Sequence, residues 1–433
     1  MLGWRILGRG QHRLDLPVLS RDEEELILAA EEGFKEAARS KPAEGDNGEM
    51  VRDALDCAAK VKGVYLERRQ REYLGNMAAM HICGFAFLDP LLGDAAIEEI
   101  SITGPGEPAY VYVRGEGWKT VNAAFESERA IADIVNRMGR NLGRHITLQN
   151  PRLDAMLPDG SRLHASLPPI SRGEMTIRRF RERPFSPKEL AENGTVSAET
   201  LAFLSIIMQC DCSLIVAGNT ASGKTTTLNS LFSFTPANER VVITEETPEI
   251  NIPHRHRLRL VANKDMGITL KDLVYDTLRM RPDRMIVGEV RNREEVEALF
   301  DVLLAGQARG CYATFHAQSS AEALSRLRSF GIRENDLGSI DCILVQRRML
   351  AYDPKLRKST EVRRVVEVAE LETGSVMERA CGSFGLDRRE MAAELKRREK
   401  LIMGLDCDYG KFYAAVQKEL YCHDVKDGGN DGQ

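Results

Sequence analysis

Residues 218–225, Gly-Asn-Thr-Ala-Ser-Gly-Lys-Thr, constrain this chain more than any other stretch. They match G-x-x-x-x-G-K-[ST], and the flanks agree with the match. Ahead lies the apolar run 213–217, the pattern of a buried parallel strand. Behind lies Thr-Thr-Thr-Leu-Asn-Ser-Leu at 225–231, which can open a helix. Strand, glycine-rich loop and helix N-terminus, in that order, make a cradle for phosphate. Gly218 and Gly223 let the backbone curl so that successive N–H groups of Asn219, Thr220, Ala221 and Ser222 face one anion. The helix dipole adds a favourable potential at the same point, by Thr226. Lys224 is expected at the β/γ-phosphates of a nucleotide, and the Thr225 hydroxyl on Mg²⁺.

The rest of the chain must supply a sheet for that loop. Beyond residue 196, apolar strands alternate with helical patterns at 213–218, 240–246, 285–290 and 311–317. That is the βαβ rhythm of a parallel sheet, so the expected class is α/β. Upstream, residues 83–182 read as a smaller α+β domain. It contains a hairpin turning at Gly115-Glu116-Gly117, a helix over 126–143, a strand–turn–strand around Pro158-Asp159-Gly160, and a strand at 174–180. Residues 183–196 read as a polar linker, and 197–420 as the phosphate-binding domain. Residues 421–433 are rich in Gly and Asp and read as a disordered tail. Residues 1–82 read as an N-terminal helical region. Ser20 and Glu23 form a capping box before a first helix, Pro and Gly break the pattern at 41–50, and a second helix is expected over 51–80. The charged face of that second helix reads as solvated surface, with docking as the other reading.

Composition narrows the class. A length of 433 residues allows two or three domains. With 43% hydrophobic and 29% charged residues, the chain reads as soluble and globular. The net charge of −5 favours no nucleic-acid partner. No apolar run approaches the ~20 residues that span a bilayer. The start lacks the long apolar stretch and cleavage site of a signal peptide. Nine cysteines are scattered with no C-x-x-C pair, so they read as reduced thiols of a cytosolic protein.

Ligands of open parallel sheets sit at the carboxyl ends of the strands. Three of those ends carry polar groups: Glu245, Glu246 and Glu249 after one strand, Glu289 and Arg291 at the next, and His316 after a third. Hydrolysis of a γ-phosphate needs a metal, a positioned water and cations for the developing charge. An acid there can hold the water directly or through Mg²⁺.

Four boxes in order then resemble the secretion and traffic ATPases of type II and type IV secretion, type IV pili and archaella. "GNTASGKTT" is similar to their Walker A. "ITEETPEI" is similar to their acidic box, with Glu245-Glu246 where Glu-Asp is usual. "LRMRPDRMIVGEVRNREE" resembles their Walker B, in which glycine and glutamate end the strand. "GQARGCYATFHA" resembles their histidine box, with Gln307 where a histidine is usual. Upstream, residues 82–113 and 146–180 look like the amino-terminal domain of the archaeal and tight-adherence pilus branch. The tetra-cysteine zinc element of some type II members is absent.

The resemblance implies a RecA-like motor domain with a mainly parallel sheet, preceded by the smaller α+β domain and the helical region. It implies a homo-hexamer that binds ATP and Mg²⁺ and hydrolyses ATP, with nucleotide between the two domains of a protomer. The implied partner is a polytopic membrane platform protein of a pilus or secretion apparatus. The chain would lie at the cytoplasmic face of the membrane as a peripheral component, with no specific nucleic acid. Glu289 is expected to orient or activate water and to meet Mg²⁺ through water. Glu246 and Glu245 would stand around the metal and water, and His316 would sense the γ-phosphate or a neighbouring protomer. Arg291 is read either as catalytic or as an ion-pair partner. Arg162, Arg178 and Arg179 are the candidates to bring cations to the phosphates from the smaller domain. The alternatives are a nucleic-acid-translocating ATPase linked to conjugation-type DNA transfer, and a nucleotide-gated scaffold without turnover.

Overall fold

The computed structural model describes residues 2–40, 47–179, 183–263, 266–355, 357–371 and 375–422. The chain divides into two compact units, Met1–Phe180 and Arg181–Gln433.

In the first unit eight strands form two antiparallel sheets. They are β1 (Trp4–Ile6), β2 (Ile97–Ile102), β3 (Tyr110–Val113), β4 (Gly117–Thr120), β5 (Ala123–Phe125), β6 (Arg152–Met156), β7 (Arg162–Ser166) and β8 (Glu174–Arg178). The larger sheet has the order β4-β3-β2-β8-β7-β6, and β1 pairs with β5. The β3–β4 turn holds Gly115 and Gly117 at φ 75° and 81°, a conformation that costs glycine nothing. The expected hairpin and strand–turn–strand are both present.

The N-terminal residues depart from the sequence reading in two ways. Residues 1–82 share one hydrophobic core with 83–179: Leu26, Leu55, Leu74 and Trp4 pack with Phe87, Ile100 and Phe125. The segment expected as one helix over 51–80 is two, Asn47–Val61 and Arg68–Ile82. Gly63, at φ 66°, ends the first of them, and the Val64 N–H closes back on the Ala59 carbonyl at 2.9 Å. The first helix is capped as expected, with the Ser20 N–H donating to Glu23 at 2.8 Å.

The segment expected as a linker at 183–196 also differs, because it contains a helix, Pro187–Glu192. Ser186 caps it, Glu189 returns the capping-box bond, and Pro187 occupies the first turn. Leu190 anchors it in the core of the second unit. Of residues 421–433, expected as a disordered tail, Tyr421 ends a helix, and 423–433 lie outside the described residues, as do 180–182.

The second unit is built on seven strands: β9 (Leu214–Gly218), β10 (Val241–Glu245), β11 (Arg257–Val261), β12 (Arg284–Val290), β13 (Gly310–Phe315), β14 (Cys342–Asp353) and β15 (Lys358–Glu370). Their order is β11-β10-β12-β13-β9-β14-β15. Every neighbouring pair is parallel except β14 with β15. This is the mainly parallel sheet expected from the sequence. Successive residues of β9 enter opposite cores: Leu214 and Val216 pack on one face of the sheet, Ile215 and Ala217 on the other. Burial on both faces is why these strands read as continuous apolar runs. The helices Ala198–Gln209, Ser375–Phe384, Arg388–Gly404 and Tyr409–Tyr421 carry residues of the first core, while Arg293–Ala305 and Ser320–Ser329 carry residues of the second.

Beyond Gln346, strand β14 pairs with β15 alone, and the two run on as a ribbon. The sequence reading missed this pair and β11.

Candidate functional site

The phosphate loop forms where β9 meets the helix Lys224–Leu231. Gly223 lies at φ 92° and Ala221 at φ 59°, so the backbone reverses within two residues. A Cβ on Gly218 would stand 2.1 Å from the Gln346 carbonyl oxygen, so glycine is required there by close approach. Thr220 is exposed at the loop's rim, and Thr226 is half-buried in the first helical turn. Lys224 is buried, and its Nζ donates to the carbonyls of Gly218 and Asn219, both at 3.3 Å. The ammonium is thus folded over its own loop. The Thr225 hydroxyl donates to Glu249 at 3.2 Å.

Glu245 ends β10 and Glu246 opens the loop that follows, and the two acids have different partners. Glu245 is 1% exposed, and one oxygen accepts the N–H groups of Glu249 and Ile250, each at 2.7 Å. The Arg259 guanidinium of β11 stands 3.2 Å from its other oxygen. Burial pushes this carboxyl up to about 7, against the pull of those N–H groups and Arg259. Its Oε1 is therefore committed to shaping the loop 246–250, while Oε2 faces Arg259. Gly288 of β12 is needed beneath it, since a Cβ there would lie 2.8 Å from Glu245 Cγ. Glu246 accepts from Arg291 at 2.7 Å.

Glu289 is aimed by a break in pairing. Val287 is opposite Ala313, yet Val290 is opposite Phe315, so β12 carries one extra residue against β13. Such a bulge redirects a side chain next to a site. Glu289 then meets His316 Nε2 at 2.6 Å and Arg291 Nε at 2.7 Å. Arg291 bridges the two acids, and its own N–H is held by Glu295 at 2.7 Å. Burial raises the Glu289 carboxyl, but Arg291, His316 and Lys224 outweigh burial and hold it below the usual range. His316 is held below its usual value by burial and by Lys224, against the pull of Glu289. The structure thus brings together Lys224, Glu289, His316, Arg291 and Glu246 at the carboxyl ends of the strands. A carboxylate with a lowered pKa is always ionised but is a weak base, so it suits orientation of water better than removal of its proton.

The loop's chemistry fits a magnesium nucleotide. Ser222 Oγ is buried without a hydrogen-bond partner among the described residues, inside the curl that Gly218 and Gly223 keep open. Among the described residues no three acidic, histidine or cysteine side chains cluster as a metal cage. Mg²⁺ commonly takes one or two protein oxygens and completes its shell with phosphate and water. Thr225 would hold it directly and Glu289 through water.

Three contributors were missed from sequence, all on β14 and β15. The Gln346 amide donates to the Ser222 carbonyl at 2.8 Å and accepts from Thr227 at 2.6 Å. The Asn219 side chain exchanges two bonds with the Arg348 backbone, at 2.9 and 3.0 Å. Arg363 Nε donates to the Ala221 carbonyl at 3.1 Å. Only the glutamine after an apolar run was visible as a signal, and nothing local tied it to residue 222.

In the first unit, Arg162 and Arg178 are cross-strand partners on β7 and β8 and both are exposed. Arg179 is half-buried and tied to the Asp94 carbonyl.

The family described as "Type II/IV secretion system protein" matches residues 83–411. The chain belongs to that family. An uncharacterized protein of Methanocaldococcus jannaschii is 32% identical over 346 residues, covering 78% of this chain and 61% of its own length. The chain therefore spans less than two thirds of that family member. A putative conjugal transfer protein of Mycobacterium tuberculosis is 30% identical over 320 residues, 69% of this chain and 88% of its own. The solved structure of the Legionella pneumophila ATPase DotB is 18% identical, with a TM-score of 0.48, covering 72% of this chain and 85% of that one.

Gln307, where members of the family usually carry a histidine, is exposed and precedes β13. It lies at the opposite end of that six-residue strand from the phosphate loop, roughly 20 Å away at about 3.3 Å per residue. Gln307→His is therefore expected to leave ATP turnover within about threefold of wild type, as for a surface change remote from the chemistry. A hundredfold fall in a steady-state assay would show that Gln307 acts on the site.

Proposed function

We propose that this chain is an ATP-hydrolysing motor. It works as a homo-hexamer that powers assembly of a type IV pilus-like filament, or type II/IV secretion, across the cytoplasmic membrane. The observation that carries the reading is the Glu289–His316–Arg291–Glu246 network beside Lys224, at the strand ends of a phosphate-loop sheet. In this reading Lys224 and the loop N–H groups bind the phosphates. Glu289 orients the attacking water, with Arg291 and His316 fixing its two oxygens. Arg162 and Arg178 are the proposed further cations for the transferring phosphoryl group; Arg179, tied to Asp94, has less freedom to serve.

The proposed partner is a polytopic membrane platform protein, met at the cytoplasmic face. No helix of the described residues is long and apolar enough to cross a membrane. A second reading, transfer of DNA in conjugation, draws on the mycobacterial relative, a putative conjugal transfer protein.

The test is ATP turnover by the purified chain, alone, with anionic phospholipid vesicles and with single-stranded DNA. Turnover raised by vesicles supports the first reading, and turnover raised by DNA alone favours the second. Binding of ATP without any turnover would leave a nucleotide-gated scaffold instead.

A further inference from the structure

We propose that Gln346 is a positioning residue for nucleotide phosphates, and that β14 and β15 act through it as an outer brace of the phosphate loop. The inference deepens the nucleotide reading and rests on it.

A phosphate loop works only if its peptide N–H groups face inward. Each peptide is planar and trans, so the carbonyl of one residue and the N–H of the next point in opposite directions. Holding a carbonyl on the outside therefore aims the next N–H into the curl. Gln346 does this for the Ser222–Gly223 peptide. Its amide N–H₂ takes the Ser222 carbonyl at 2.8 Å from outside, which turns the Gly223 N–H to the concave side. Gln346 is 1% exposed and lies opposite Gly218, where β14 pairs with β9. Its amide oxygen is fixed by the Thr227 hydroxyl at 2.6 Å, so the amide cannot flip without losing both bonds.

Two further contacts from the same strand pair act on neighbouring residues, one on a peptide and one on a side chain. Arg363 Nε holds the Ala221 carbonyl outward at 3.1 Å. The Arg348 backbone grips the Asn219 side chain through both its donor and its acceptor. Arg363 and Arg348 face each other across β14 and β15. Three points of the loop, Asn219, Ala221 and Ser222, are thus pinned from β14 and β15, and the Ser222 N–H closes the turn on the Asn219 carbonyl at 3.2 Å. Gly223 completes the fit, since a Cβ there would meet Gln346 Nε2 at 3.0 Å.

The test is Gln346→Glu. An ionised glutamate accepts from Thr227 but cannot donate to Ser222, and it sets two acceptors face to face. A protonated glutamate restores the donor and mimics the amide. The charged residues nearest this position are Lys224 at the helix start, Arg347 and Arg348 on β14, and Glu361, Arg363, Arg364 and Glu367 on β15. ATP affinity is measured by calorimetry for wild type and variant from about pH 5.5 to 8.5, on either side of neutral and above the ordinary glutamate range. The variant is expected to bind ATP roughly ten- to a hundredfold more weakly at the alkaline end, and to approach wild type at the acid end. A variant equal to wild type throughout, or weaker by a constant factor at every pH, overturns the inference. If Gln346→Glu fails to fold, Arg363→Ala carries the test, being part-exposed. Severalfold weaker ATP binding with an unchanged melting temperature supports the brace, and unchanged affinity overturns it. A wild type that binds no ATP overturns the nucleotide reading and this inference together. A wild type that binds, with variants that behave as wild type, overturns the inference alone.

Discussion

Replacing Lys224 with alanine is expected to abolish tight ATP binding while leaving the fold intact. In the structure its Nζ rests 3.3 Å from two loop carbonyls, Gly218 and Asn219. Those are neutral acceptors, and phosphate oxygens are much stronger ones. Hydrogen bonds to charged groups contribute about 1.5–3 kcal/mol each, so loss of two predicts a fall in affinity of about a hundredfold or more. The helix Lys224–Leu231 keeps its start, because Gly223 supplies the reversal and alanine favours helix. Calorimetry on the purified variant measures the effect. Near-normal affinity would remove Lys224 from the phosphate site.

Glu289→Gln is expected to separate binding from chemistry. The amide keeps the size of the side chain and loses its charge and basicity. Lys224, Thr225 and the loop N–H groups are untouched, so ATP should still bind. Loss of a residue that orients or activates water costs about 10²- to 10⁴-fold in turnover. The glutamine can no longer form ion pairs with Arg291 or His316, so the bridge to Glu246 also slackens. Affinity and turnover must be measured on one preparation, together with assembly size. ATP-bound protein should accumulate, and a nucleotide-closed ring would accumulate with it. Turnover within a few-fold of wild type would pass the role to Glu246, since the oxygens of Glu245 are already engaged by Glu249, Ile250 and Arg259. Loss of ATP binding as well would make Glu289 an organiser of the metal.

What could be read from the sequence was whatever a short window contains. The strand, glycine loop and helix around 218–225 are local, and so are the acids that end β10 and β12. Their shared location followed from the rule that strand ends of a parallel sheet meet. The parts that escaped depend on register between distant strands. Gln346 reaches Ser222 only because β14 lies beside β9 with Gln346 opposite Gly218. Glu289 reaches His316 only through the extra residue between Val287 and Val290. The division of labour between Glu245 and Glu246 comes from the end of β10, since Glu245 is the last strand residue and Glu246 the first of the loop. The helix at 187–192 had its capping box in plain view, but its polar composition read as linker. The helix break at Gly63 was hidden by apolar periodicity on both sides.

The ribbon that β14 and β15 form beyond Gln346 has a consequence for local unfolding. A two-stranded ribbon in water is marginally stable by itself, so its persistence depends on what holds its base. Here the base is held by the pairing of β14 with β9 and by the phosphate loop, through Asn219, Ala221 and Ser222. Ribbon and loop should therefore open as one cooperative unit. A ligand that binds only the closed loop adds RT ln(1 + [L]/Kd) to the free energy of that opening, about 2.7 kcal/mol at a hundredfold excess over Kd. Amide hydrogens along 347–353, which include the exposed Leu350 and Tyr352, should then exchange up to about a hundredfold more slowly with nucleotide present. The protein would thus carry, along 347–353, a readable record of whether its phosphate loop is filled.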